Sequence, residues 1–320
     1  MPKLLTRTHV PLGACTSMTP IQPFYSGVLI GTSTGHLFLI TYVKGRARVS
    51  TPKGTVERKS PVVELTICKN QLVVMRNSGL LQIYELRLDE SSASPCCLQL
   101  ICEHFVDECP RFRPLFLDTE TLLVVRNSAL HNLLNKEEQV LLGSGTLLGI
   151  EQLSTHSTQF VLYGDGLTLW KWTRTCPAIQ LQSYLLDLHR YAAIETEITP
   201  CIMDFSIHQG FAFCATNMGL LLYFPEPQIS EPPTVDGKIY PMVYPTICLT
   251  TRRLLFWDNL IVPCGGHGLE LLSLKVSENT TPDITGITVM TFEDNSTCGA
   301  VSSGLLWICT GGAGICLLID

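Results

Sequence analysis

Four cysteines and a histidine crowd into one short stretch: Cys96, Cys97, Cys102, His104 and Cys109. Thiolate and imidazole are the ligands a structural zinc ion takes, so zinc is the first chemistry to weigh. The spacing argues against it. No Cys-x-x-Cys knuckle is present, and Cys97 to Cys102 reads CLQLIC, a strand whose side chains alternate between two faces. The expectation is a buried strand plus a loop, and no metal. A second concentration of chemistry lies at 44–59, KGRARVSTPKGTVERK, where Lys44, Arg46, Arg48, Lys53, Arg58 and Lys59 stand against Glu57 alone. The segment carries net +5 and leaves −11 for the rest of the chain. Such a run could dock an acidic peptide or a phosphate backbone. The competing reading is a solvated connection whose cations blunt an exposed sheet edge.

For catalysis the sequence offers no constellation. Gly-x-Ser-x-Gly, the phosphate-cradling loop, the dinucleotide fingerprint and His-Glu-x-x-His are all absent. The histidines at 9, 36, 104, 131, 156, 189, 208 and 267 are dispersed, so none supports another. The expectation is therefore a non-enzyme with no catalytic residue, no cofactor and no small-molecule substrate. The stretch Pro225 to Gly237, PEPQISEPPTVDG, is too polar to pack and too rich in proline for a central strand. It reads as an exposed loop in which Glu226, Gln228 and Glu231 are candidate contacts.

These residues need elements to carry them, and composition narrows the choice. The 320 residues are 46% hydrophobic and 16% charged, with net charge −6. That is ample material for a core and a poor overall match to nucleic acid or an anionic membrane. Glycines and prolines are scattered along the chain, as many turns between short strands require. The N-terminus lacks the apolar run of a secretory signal, and no stretch is long enough to span a membrane. The reading is an intracellular protein, cytoplasmic or nuclear, with no membrane insertion. Its 14 cysteines are then reduced, mostly buried thiols serving as small hydrophobes. The glycosylation triplets at Asn279 and Asn295 carry no weight in such a compartment.

One pattern recurs seven times: an apolar run, a short polar turn usually carrying glycine, then a second apolar run. The copies are 28–42, 71–86, 122–134, 160–172, 211–224, 260–274 and 305–319. Their turn residues, Gly35, Gly79, Ala129, Gly166, Gly219, Gly268 and Gly314, are 44, 50, 37, 53, 49 and 46 residues apart. Intervals of that size suit four strands and their loops. The second and third copies share Arg-Asn-Ser-(Gly/Ala)-Leu at 76–80 and 126–130, a sign of descent from a repeat. The last copy ends one strand short, and 3–10, KLLTRTHV, precedes the first copy's own inner strand. The chain is thus expected to be all-β, one seven-bladed β-propeller domain over 1–320, its last blade closed by the N-terminal strand. In the longest interval, 181–194 places Leu181, Tyr184, Leu185, Leu188 and Ala192 near one face of a possible helix, with an ordinary outer strand as the alternative.

The hairpin Asp165-Gly166-Leu167-Thr168-Leu169-Trp170 resembles the WD-repeat family, and Ser33-Thr34-Gly35-His36-Leu37-Phe38 and Asn77-Ser78-Gly79-Leu80 are weaker versions. The family's Trp-Asp pair is missing where expected in every copy; the one such dipeptide, Trp257-Asp258, precedes the sixth hairpin. The resemblance spans the whole chain in period and is thin in motif. It implies a non-catalytic scaffold that binds other protein subunits of a multiprotein complex. Two alternatives are a propeller associated with nucleic acid or chromatin through 44–59, and the propeller of a vesicle-tethering complex.

Overall fold

The computed structural model describes residues 3–21, 27–56, 58–88, 95–106, 113–126, 129–135, 139–142, 147–154, 157–172, 178–184, 186–191, 199–226, 238–246, 253–264, 267–275, 283–310 and 314–319. Within them the first five repeats are separate four-stranded antiparallel meanders, and the last two are four-stranded meanders that share one long strand and so form a single seven-stranded sheet. Blade 1 runs Cys15–Pro20, Gly27–Thr32, Leu37–Val43 and Arg46–Ser50, and blade 2 runs Val62–Cys68, Gln71–Arg76, Leu80–Leu88 and Cys96–Phe105. Blade 3 is shorter: Leu115–Phe116, Leu122–Arg126, Ala129–Asn132 and Gln139–Leu141. Blade 4 comprises Leu147–Gln152, Gln159–Gly164, Leu167–Lys171 and Ile179–Tyr184, and blade 5 Ile202–His208, Phe211–Thr216, Leu220–Pro225 and Met242–Pro245. Arg253–Trp257, Leu260–Cys264 and His267–Lys275 begin blade 6, and the long strand Asp283–Ser302 ends it and continues into blade 7. Blade 7 then adds Leu305–Thr310 and Gly314–Ile319.

The fourth strand of blade 7 is Lys3–His9, paired antiparallel with Gly314–Ile319 from Lys3↔Ile319 to His9↔Gly314. This is the closure expected from the sequence. It removes a bare edge from the last blade. By proximity the chain divides into two compact units, 1–119 with 292–320, and 120–291. One boundary falls inside blade 3 and the other inside Asp283–Ser302. In the first unit, one core gathers Met18, Ile30, Ile40 and Trp307, and another Leu29, Leu65, Leu72 and Tyr84. The second unit packs Tyr163, Phe205 and Phe224 in one core and Phe213, Ile261 and Leu272 in another.

Burial explains the sequence pattern strand by strand. Gly27–Thr32 and Leu305–Thr310 are buried at every position, which is why second strands read as unbroken apolar runs. Outer strands have one wet face: Cys96–Phe105 alternates between turned-in and turned-out residues. The polar turn of the hairpins demands glycine most clearly at Gly35, whose φ is +89° and whose added Cβ would collide with the Arg58 carbonyl oxygen. Gly166, by contrast, lies outside the left-handed region and has open space around it.

The first strands carry a second repeat. In blades 1, 2, 4, 5 and 7 the register slips once, at Cys15/Ser17, Val62/Glu64, Leu147/Gly149, Ile202/Asp204 and Ser296/Cys298. A bulge re-aims the side chain that follows it. In three blades that residue reaches the next one. Asp204 of blade 5 accepts from the Leu254 amide of blade 6, Glu64 of blade 2 pairs at 3.4 Å with Arg113, just ahead of blade 3, and Cys298 of blade 7 lies 3.5 Å from Cys15 of blade 1, sulfur to sulfur.

One expectation fails at that last joint. Cys15 and Cys309 are not reduced thiols: they are joined as a disulfide, with Cα atoms 6.2 Å apart and a sequence separation of 294. Ring closure lays the two ends of the chain side by side, a proximity that residue spacing along the sequence does not encode. Cys68, Cys96, Cys97, Cys201 and Cys214 keep their thiols.

Candidate functional site

The six cations of 44–59 do not form one patch. Lys44 and Gly45, both with positive φ (51° and 78°), make the tight two-residue turn between Leu37–Val43 and Arg46–Ser50. Beyond it Arg46 and Arg48 face outward, while Ala47 and Val49 turn in against the core beside Tyr42. Strand alternation therefore aligns Lys44, Arg46 and Arg48 as an exposed cationic strip on the outer strand of blade 1. None of the three enters an ion pair among the described residues.

The other half of the segment is a strap. The Lys53 amide donates to the Cys96 carbonyl (2.9 Å), and the Leu98 amide donates to the Lys53 carbonyl (2.8 Å), a parallel bridge laid on the outer strand of blade 2. That covers part of an otherwise bare edge of blade 2 with backbone, whereas the competing sequence reading had charged side chains blunting the edge of the first blade. Arg58 places one guanidinium nitrogen 3.1 Å from both carboxylate oxygens of Glu103. Lys53, Arg58 and Lys59 keep exposed side chains, but the strap's backbone is structural.

What holds the strap is Arg76, a residue the sequence reading noticed only as part of a repeated string. Its side chain is 1% exposed. Nε donates to Gln82 Oε1 at 2.7 Å, and Nη1 donates to the carbonyls of Gly35 (3.0 Å), Ser60 (3.0 Å) and Arg58 (3.3 Å). Burial lowers the proton affinity of this guanidinium, with nearby Tyr84 pulling the other way. Gln82 passes the network on to Glu103 at 2.7 Å. Hydrogen bonds from Gln82 and then Arg58 hold the Glu103 carboxyl below its ordinary range. The available signal was an arginine ending a strand that is otherwise apolar, QLVVMR. A charge in that position needs partners.

The cysteine-rich segment is a strand, Cys96–Phe105. Cys96 is buried and Cys97 exposed, so the adjacent pair points to opposite faces. Cys96 and Cys102 are separated by about 20 Å of extended chain, while Cys102 Sγ lies 3.4 Å from His104 Nε2. Cys109 lies outside the described residues. Burial pushes the Cys96 thiol up to about 12. The outward face of the same strand carries Ile101 and Phe105, 54% and 55% exposed. They are apolar contact candidates that the sequence reading did not single out. The alternation in CLQLIC that argued against zinc, continued through LICEHF, was the signal for them.

In the second unit, Glu226 follows the third strand of blade 5, its amide donating to the Gly210 carbonyl at 2.8 Å. Gln228 and Glu231 lie outside the described residues. The helix considered over 181–194 is instead the outer strand Ile179–Tyr184 and a single 3-10 turn, Leu188–Tyr191. Leu181 faces water and Tyr184 is buried, a strand-like division of the apolar residues, and Leu185 and 192–194 lie outside the described residues. Asp187, Arg190 and Tyr191 of that turn line a shallow cleft of about 250 Å³ with Lys238, Ile239 and Tyr240.

Comparison with known proteins gives fold without ancestry. No family model matches the chain, and no curated protein matches its sequence. Among solved structures, the WD40 β-propeller domain of Doa1 superposes with a TM-score of 0.70 at 10% identity, over 100% of this chain and 97% of that one. A chain of a mitotic checkpoint complex gives 0.66 at 10% identity, over 99% of this chain and 91% of that one. Among the described residues no helix is long and apolar enough to cross a membrane. Seven four-stranded meanders, the N-terminal strand in the last of them, and these superpositions together give the fold as a seven-bladed β-propeller similar to WD40 propeller domains.

Proposed function

We propose that this propeller is a non-catalytic scaffold inside the cell, holding other protein chains of a multiprotein assembly through its outer strands. The observation that carries the reading is the wet face of Cys96–Phe105, where Ile101 and Phe105 are each more than half exposed. Large apolar side chains on a rigid strand are suited to a partner that covers them. The cationic strip of Lys44, Arg46 and Arg48 on blade 1 and, apart from it, the exposed side chains of Lys53, Arg58 and Lys59 on the strap would each favour an acidic partner surface. Glu226 and the acidic sequence that follows it offer a second contact. The likeness to a chain of a mitotic checkpoint complex supports this class of role by analogy of fold.

The test is affinity purification of the tagged chain from its own cells, beside an Ile101→Asp/Phe105→Asp variant, at moderate and then high salt. Partners in fixed stoichiometry that survive high salt with the natural chain and vanish with the variant support the scaffold. Retention of the same partners by the variant removes the apolar face from the proposal. The second reading, nucleic-acid binding, rests on Lys44, Arg46 and Arg48 standing on one exposed strand. Three phosphate contacts give a slope of about −2.7 in log affinity against log salt. A triple Lys44→Ala/Arg46→Ala/Arg48→Ala variant should abolish that slope, and salt-insensitive binding would count against this reading.

A further inference from the structure

Among the described residues one group of three or more His, Cys, Asp or Glu side chains is close enough to share an ion: Cys15, Cys298 and Cys309, with all sulfurs within 4.8 Å of one another and all three residues buried. We propose that in the reduced protein these three thiolates, with the backbone carbonyl of Ser17, form a structural zinc site that staples blade 1 to blade 7. This departs from the expectation of no metal drawn from the sequence, which looked for ligands close together in the chain.

The geometry already present is near what zinc needs. With Zn–S near 2.3 Å and Zn–O near 2.1 Å, tetrahedral coordination places sulfurs about 3.8 Å apart and sulfur about 3.6 Å from oxygen. Cys298 Sγ is 3.5 Å from Cys15 Sγ, and Cys15 Sγ is 3.5 Å from the Ser17 carbonyl oxygen. The ligands sit on rigid elements: Cys15 and Cys298 flank the bulges of their first strands, and Cys309 lies in the second strand of blade 7. The same core also holds a donor without an acceptor: Trp307 Nε1 is buried with no hydrogen-bond partner. Three thiolates and Zn²⁺ leave one negative charge in an apolar core, and an N–H donor in that core is the kind of group that would compensate it.

The disulfide is the metal-free, oxidised alternative at the same atoms. A phosphine reductant supplies two electrons and is oxidised to its oxide by water, which supplies the oxygen and two protons, so the Cys15–Cys309 bond opens to two thiols. Zinc then displaces three protons, one from each sulfur, as the Zn–S bonds form. Because the ligands are buried, loading accompanies folding.

The experiment refolds the full chain anaerobically with a phosphine reductant and cobalt(II), a spectroscopic stand-in for zinc, and then competes with zinc. One cobalt per folded chain, thiolate-to-cobalt charge transfer, the intense visible bands of tetrahedral cobalt and displacement by zinc are expected. Cys298→Ser should weaken binding at least about tenfold, while Cys97→Ser, on an exposed position of another blade, leaves it unchanged. If Cys298→Ser does not fold, X-ray absorption of the zinc-loaded natural chain decides: three sulfurs and one oxygen support the site. A folded, reduced chain that takes up no metal overturns the proposal. So does binding that tolerates Cys298→Ser but is lost in Cys102→Ser, or a shell with nitrogen ligands.

Discussion

Two joints between blades solve the same problem with opposite charges. In the first unit Arg76, 1% exposed, is a buried cation held by three backbone carbonyls and Gln82. In the second, Asp204, 2% exposed, is a buried carboxyl that accepts from the Tyr163 hydroxyl at 3.1 Å and from the Leu254 amide at 2.6 Å. The partners named for each are neutral dipoles: carbonyls and an amide oxygen for Arg76, a hydroxyl and an amide N–H for Asp204. The difference teaches that blades can be joined by a single buried ionisable group of either sign, because strand ends and turns present both N–H and C=O dipoles. What should set the energetic weight of a joint is the number of partners left orphaned when it is broken.

That rule predicts the larger loss at Arg76. Arg76→Ala orphans three carbonyls and the Gln82 amide oxygen, which also loosens the strap at Arg58 and Ser60. We expect a loss of about 3–5 kcal/mol in unfolding free energy, the range seen when one partner of a buried charged network is removed. Arg76→Lys keeps the charge and loses the fork, and should fall between the two. Denaturant titration decides, and a loss below about 1 kcal/mol would mean that water replaces the guanidinium at little cost.

Asp204→Asn tests the other joint more gently. The amide keeps one acceptor but turns its NH₂ toward either the Tyr163 hydroxyl or the Leu254 amide, both of which donate now. The expected loss is about 1–3 kcal/mol, less than for Arg76→Ala. Tyr163→Phe, which leaves the amide bond intact, should cost about 1 kcal/mol. Should Asp204→Asn prove the costlier of the two charge removals, partner count is not what ranks these joints.

The two joints also mark where sequence stops being legible. Second and third strands could be read because both their faces are buried, so LLWICT and GVLIGT appear as unbroken apolar runs. Closure by 3–10 could be read because the last repeat ran one strand short. Outer strands were harder: RARVS and IQLQSY divide their residues between a wet and a dry face, and the second was weighed as part of a helix. The joints were not legible at all. Asp204 and Leu254 are 50 residues apart, Arg76 and Gly35 are 41, and Cys15 and Cys298 are 283. Each pairing depends on how one blade's bulge or turn faces the next, which local periodicity does not carry. The basic segment shows the same limit: its charge was plain, and its division into a strip and a strap followed from the Lys44-Gly45 turn and from Arg76.

Blades 5 and 6 are joined a second time, without charge, and this joint should respond to pH. His208 ends the first strand of blade 5, stacks on Phe256 with centroids 4.4 Å apart and lies 3.3 Å from the Asp258 carbonyl through Nε2. Beside it Gln209 donates to Asn259 at 3.2 Å. Burial lowers the His208 pKa from its ordinary 6.5, and the Asp258 carbonyl only partly offsets this. Between the lowered value and 6.5 the unfolded chain therefore binds more protons than the folded one, so stability rises with pH across that window. On acidification the loss begins near 6.5 and is complete once pH has fallen through the folded value. The measurement is the denaturation midpoint of the natural chain minus that of His208→Gln from about pH 7.5 to about pH 5.5. The difference should shrink or change sign as pH falls, since only the natural chain must keep this ring neutral. A difference that stays constant would show the imidazole titrating alike in both states, its stacking on Phe256 contributing packing alone. The effect should be smaller than either charge removal, because a neutral ring can still protonate within its site, whereas the orphaned partners of Arg76 and Asp204 have no such recourse.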